Sequence, residues 1–152
     1  MRRRKRLVGI VAPVVAFLAI SALLARALSE PEAERSEITA LIDAEARGDT
    51  TTMLDRIDSC RASAACAARV KAVAHALTRP GPVAILQINT STGFALSGGL
   101  GTARVAWKTA STLPIVQCVR VRRTGNALTG LHVKLVELSK RIPSSNDCPA
   151  SY

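Results

Sequence analysis

Aromatic side chains are scarce in this chain: one Trp, one Tyr and two Phe among 152 residues. Without aromatics interleaved among its cations, it lacks the stacking platforms on which single-stranded nucleic acids are bound. Histidine is scarcer still, with His75 and His132 alone, so few groups change charge near neutrality without a strong perturbation. Acids thin out along the chain, and after Asp58 only Glu137 and Asp147 remain. No two cysteines stand as C-x2-C, so a zinc-type ligand set is missing and neither metal nor cofactor is expected. No G-x-S-x-G supports a nucleophile on a sharp strand-to-helix turn. The run Gly98-Gly99-Leu100-Gly101 leads into a β-type segment rather than a helix, so it reads as a hairpin turn and not as a phosphate loop.

Charge is also missing from Leu7–Ala25, 19 residues in a row, and this absence is the most informative. As a helix the run spans about 28 Å, close to the roughly 30 Å hydrocarbon core of a bilayer. Arg2, Arg3, Arg4, Lys5 and Arg6 precede it. By the positive-inside rule the N-terminus stays cytoplasmic and the chain beyond the apolar run is exported. The expected organisation is a basic stub and signal-anchor over 1–28, an exported domain over 29–142 and a tail over 143–152. Ala25-Arg26-Ala27 loosely fits a signal cleavage site, so a secreted product cut after Ala27 is the alternative. No cysteine stands near Ala27, which removes the lipoprotein option.

The net charge of +10 divides accordingly. Residues 1–28 carry six cations and no acid, 29–58 carry three cations and nine acids, and 59–152 carry twelve cations and two acids. The first share is a topology signal. The exported part keeps +4, polarised along the chain, and nucleic acid is not an expected partner.

Cys60, Cys66, Cys118 and Cys148 make an even count in an exported small domain, which reads as a disulfide framework. Four cysteines allow three pairings, and the sequence alone does not choose among them. The expectation is Cys60–Cys66, closing a short loop, and Cys118–Cys148, tying the tail to a strand.

Helical signals come first. Ser29 and Glu32 stand in capping-box spacing with Pro31 in the first turn, and Ile38, Leu41 and Ile42 follow at helical spacing. Gly48-Asp49 reads as a C-cap followed by an N-cap, opening a second helix through Met53, Leu54 and Ile57. A third helix fits Ala62–Leu77 and stops at Arg79-Pro80-Gly81-Pro82. Thereafter the period moves toward two. Val83–Asn89, Phe94–Leu96, Thr102–Thr109, Leu113–Arg123 and Leu128–Ser139 read as strands, with turns at Ser97–Gly101 and Thr124-Gly125-Asn126. Helices followed by antiparallel strands give an α+β domain, with two to three helices on a curved sheet of about four strands.

This order, with the Leu41…Gly48-Asp49…Leu54 pattern, resembles the nuclear transport factor two-like (cystatin-like) α+β roll over residues 36–142, in its small membrane-anchored bacterial exported form. The resemblance implies a cone-shaped roll with a pocket between sheet and helices. It hosts enzymes, ligand binders and interaction modules alike, so it does not give a function. Enzymatic branches place a carboxylate and a His in the pocket, and the acid-poor strand region here departs from that.

Asp43 with His132 is the best general acid–base pair the chain offers. Trp107 and Phe94 are candidate pocket walls. Arg120, Arg122 and Arg123, joined by Arg104, Lys108 and Lys134, are expected as a basic strip on the outer sheet face, suited to anionic headgroups or envelope polymers. Asn89-Thr90-Ser91 matches a glycosylation sequon, a pattern frequent by chance. The expected function is that of a membrane-anchored envelope protein, held in the lipid bilayer by residues 7–25, whose extracytoplasmic roll binds a partner protein or small ligand without catalysis. A pocket enzyme of isomerase or hydrolase type is the alternative.

Overall fold

The computed structural model describes residues 2–90, 97–110, 112–126, 130–143, 147–150 and 152, with backbone alone at 2–12, 23, 26–31, 97–98, 126 and 130–131. Helix α1 runs over Arg2–Ala46, α2 over Thr50–Arg56 and α3 over Ala64–Leu77, with a 3-10 turn at Cys60–Ala62. Strands β1 (Val83–Asn89), β2 (Ser97–Thr109), β3 (Ile115–Asn126) and β4 (Gly130–Leu138) form one antiparallel sheet in the order β1-β2-β3-β4. The α+β class, the second helix and strand β1 stand where the sequence places them.

Three boundaries differ from expectation. The first helix does not start at Ser29, because α1 passes through Pro31 as one helix of 45 residues. Proline removes one helical N–H, and the Ala- and Glu-rich flanks, strong in helix propensity, carry the helix across it. Second, Ser97–Gly101 is strand and not turn: Gly99 pairs with Arg123, Leu100 with Arg122 and Gly101 with Val121. The demand of β3 for a partner along its whole length overrides the glycines, and a register shift between Ser97 and Gly99 absorbs the local irregularity. Third, Thr124-Gly125-Asn126 is not a turn but belongs to β3, with Asn126 opposite Gly130. The expected strand Phe94–Leu96 lies outside the described residues.

Local chemistry explains the other ends. At the end of α1 the Gly48 N–H bonds the Glu45 carbonyl and the Asp49 N–H bonds the Ala44 carbonyl, the doubled closure of a Schellman motif. It requires a left-handed residue, and Gly48 has φ +70°. Asp49 then caps α2, its Oδ1 accepting from the Thr52 N–H at 3.0 Å and its Oδ2 from the Thr52 hydroxyl at 2.6 Å. Ser63 caps α3 by accepting from the Cys66 N–H, which starts that helix two residues later than Ala62. The Arg79 N–H donates to the Ala46 carbonyl, joining the ends of α1 and α3.

The core lies between the helices and one sheet face. Ile38, Leu41 and Ile42 of α1 meet Val105, Trp107, Ile115, Val119, Val121 and Leu135, all at most 1% exposed. The opposite sheet face is crossed by the C-terminal segment. Ile142 bridges to Val116, Cys148 is bonded to Cys118, and Arg120 lies 4.8 Å from the centroid of the Tyr152 ring. Both disulfides pair as the sequence leads one to expect, Cys60–Cys66 and Cys118–Cys148. Among the described residues no helix is long and apolar enough to cross a membrane, and the side chains of 1–12, which include the start of the uncharged run, lie outside that description.

Candidate functional site

Between sheet and helices lies a core of buried side chains with polar groups among them. Trp107, expected as a pocket wall, is fully buried and donates its Nε1–H to Gln117 Oε1 at 2.7 Å. Gln117 Nε2–H2 donates to Glu45 Oε1 at 2.8 Å and to the Ser139 carbonyl at 3.2 Å. Three elements thus meet in one polar thread through an apolar core: α1 supplies Glu45, β2 supplies Trp107 and β3 supplies Gln117. Burial pushes the Glu45 carboxyl up to about 8, against the downward pull of the Gln117 bond. Its second oxygen, Oε2, is buried with no hydrogen-bond partner among the described residues. A carboxyl in such a setting holds its proton at neutral pH. None of the concavities beside Pro114, α3 or β4 is lined by it.

Asp43 and His132 are not brought together. Asp43 is half-buried near the end of α1, two residues before Glu45, which sits level with Gln117 of β3. His132 is exposed and pairs in register with Thr124 of β3, at the other end of the strand. Seven strand residues separate those levels, about 23 Å. Phe94 lies outside the described residues.

The basic strip is largely neutralised. Arg123 points inward rather than outward, 5% exposed, and pairs with the fully buried Glu34 of α1. The cause is strand parity: Ile115, Gln117, Val119, Val121 and Arg123 share the core-facing side of β3. Arg120 pairs with Glu137 at 2.7 Å and also donates to the Ala150 carbonyl. Arg122 stays exposed, 3.6 Å from Asp58, which Lys134 approaches at 3.2 Å.

Open concavities of about 590 Å³ beside Pro114 and Arg141 and about 360 Å³ beside Leu77 and Lys140 have no acid among the described residues of their lining, whereas a groove of about 230 Å³ between α3 and the far half of β4 carries both acids and a base. β4 is a sheet edge, and Ile57 pairs with it through an isolated parallel bridge at Leu135, extended by the Asp58 N–H bonding the Leu135 carbonyl at 2.7 Å. Beyond that bridge the groove is walled by Val136, Glu137 and Leu138 on one side and by the Cys60–Cys66 disulfide, Arg69 and Val70 on the other. Glu137 accepts from Arg120 and lies 3.6 Å from Arg69, so the floor carries a carboxylate between two guanidiniums. Such a surface can pair with a backbone or a charged side chain, and nothing in it activates a nucleophile. Sequence reading missed this groove and also Glu34 and Glu45. The latter two were detectable, since 34, 38, 41 and 45 fall on one helical stripe, so acids share the buried face with Ile38 and Leu41. Among the described residues no cluster of His, Cys, Asp or Glu could hold a metal ion.

No family model matches the chain, and neither does any curated protein or solved structure.

Proposed function

We propose that this is a membrane-anchored envelope protein whose extracytoplasmic roll binds a partner without catalysis. The observation that carries the non-catalytic reading is the bonded core: the polar atoms of Trp107 and Gln117 are spent on each other, on Glu45 and on the Ser139 carbonyl. The groove beside β4 is the binding surface. An edge strand there offers backbone groups to an extended segment, and Arg69 and Glu137 select its charges. The two disulfides support an oxidising compartment. The five cations ahead of the uncharged run support a cytoplasmic N-terminus and a single span over 7–25. The unbroken course of α1 across 25–28 supports an uncleaved anchor, because proteases take their substrates in extended form. Helices followed by a four-stranded meander support the roll reading.

Two measurements on the native protein test this. Membranes washed at alkaline pH should retain the chain, and mass spectrometry without reduction should find all four cysteines paired. Recovery in the soluble fraction with an N-terminus at Leu28 defeats the anchor. A photoreactive residue at the exposed groove-lip position Ala65 should give a discrete protein adduct that Arg69→Glu abolishes. Adducts indifferent to that charge reversal defeat the groove as the binding surface.

A further inference from the structure

Two contacts fix the direction of α1 along the sheet: Glu34 pairs with Arg123, and Glu45 bonds Gln117. Moving toward the N-terminus of α1 is therefore moving toward the C-terminal end of β3. From Glu34 the helix continues unbroken back to Ala25, the last residue of the uncharged run. Those nine residues rise about 14 Å. In the same direction β3 runs from Arg123 to Asn126, about 10 Å, where it pairs with Ser97 and Gly130. The end of the sheet and the end of the uncharged run thus stand within about 4 Å of one level. That is less than the roughly 5–7 Å depth of one headgroup layer.

The surface at this end suits such a neighbour. Gly99, Leu100, Arg122, Thr124, Gly125 and His132 are all exposed there. Among the described side chains of this end and the adjoining turn of α1, the acids Glu32, Glu34 and Asp58 stand against Arg35, Arg122, Arg123 and Lys134, a balance of three acids to four cations. The helix beyond is apolar around most of its circumference, with Val14, Val15, Phe17, Leu18, Ile20 and Leu24 each at least 51% exposed. Such a helix requires an apolar surrounding.

We infer that this end of the sheet rests on the phospholipid headgroups of the bilayer that α1 enters, with the strand ends at Ser97, Asn126 and Gly130 nearest the contact. The inference rests on the anchor reading and adds an orientation to it. A continuous helix, clamped to the sheet by the buried Glu34–Arg123 pair, holds the domain on the membrane, and the Trp107–Ile115 end points away from it.

The test uses the full chain in vesicles of phosphatidylcholine and phosphatidylglycerol, with a nitroxide quencher on the choline headgroup. Thr124→Trp and His132→Trp place reporters at the near end, and Leu113→Trp places one at the far end. All three sites are exposed, so the core stays intact, and the buried Trp107 is a constant background. The expected result is loss of emission from both near-end reporters and none from Leu113→Trp. Equal emission at the two ends, in vesicles that retain the protein at alkaline pH, overturns the docked orientation and leaves the anchor standing. Release of the protein at alkaline pH overturns both.

Discussion

Glu45 shows what one buried carboxyl does to a small domain. The folded protein holds its proton up to about pH 8, whereas the unfolded chain releases it near 4.5. The folded state therefore binds the extra proton between those values, and stability falls as pH rises from about 4.5 to 8 and levels off above. At 1.36 kcal/mol per pKa unit, the loss is on the order of 5 kcal/mol. Asp49 and Asp55, held low chiefly by bonds from Thr52 and from Arg61, act in the opposite sense and only as pH falls below the ordinary carboxylate range. Glu45→Gln keeps an oxygen for Gln117 and cannot ionise. Urea midpoints of the variant should change little between pH 5 and pH 9, crossing above those of the parent at the alkaline end. Parallel pH profiles would assign the titration to another group. Glu34 and Arg123 call for a different experiment, because each neutralises the other in the core. Arg123→Met should cost about 3–5 kcal/mol by taking the paired guanidinium away from a buried carboxylate. The double change Glu34→Leu with Arg123→Met should recover most of that loss in chemical denaturation, since an apolar pair of similar volume needs no desolvation of charge.

At the scale of elements, the junction of α1 and α2 was legible because each end has its own chemistry, whereas the start read at Ser29 is crossed by α1. Gly48-Asp49 announces a stop and a start, and the structure uses both residues for that. The β1 limits were legible because Pro82 and the apolar run bound them. The sheet beyond was legible in pairing but not in its turns. Glycines at 98, 99 and 101 signal a turn locally, yet β3 extends them into strand because backbone pairing with residues 121–123 outweighs local preference. The basic strip failed at Arg123 for a related reason: position parity, and not residue type, decides which face of a strand a side chain takes. The groove beside β4 was illegible, since its walls come from segments some 70 residues apart. Gly48 is the element-level position with the sharpest consequence. A Cβ there would stand 2.8 Å from the Thr78 hydroxyl, and φ +70° disfavours any side chain. Gly48→Ala should cost about 1–3 kcal/mol. Adding Thr78→Ala should return only the part due to contact, which thermal melting of the three proteins would separate.

Across the whole molecule, the charges polarised along the chain become attractions between its halves. Acids of residues 29–58 meet cations of the C-terminal part at Glu34–Arg123, Asp58–Arg122 and Asp58–Lys134, so helices and sheet are drawn together by sign as well as by apolar burial. The exposed pairs among these contribute little each, which leaves the disulfides as the main covalent restraint on a domain of modest size. They do not restrain it equally. Cys60–Cys66 spans 6 residues within the helical layer, whereas Cys118–Cys148 spans 30 and fastens the C-terminal segment over the outer sheet face. Chain entropy gives about 2 kcal/mol for the short loop and about 3.5 kcal/mol for the long one. The longer bridge also keeps Tyr152 against Arg120 and Ile142 paired with Val116, contacts that the free segment would have to hold unaided. Replacing Cys118 and Cys148 by Ala should therefore lower the denaturation midpoint more than replacing Cys60 and Cys66, and should speed hydrogen exchange along β3 at Val116–Arg120. If the short-loop variant proves the weaker protein, the helical layer and not the strapped sheet is what the covalent bonds protect.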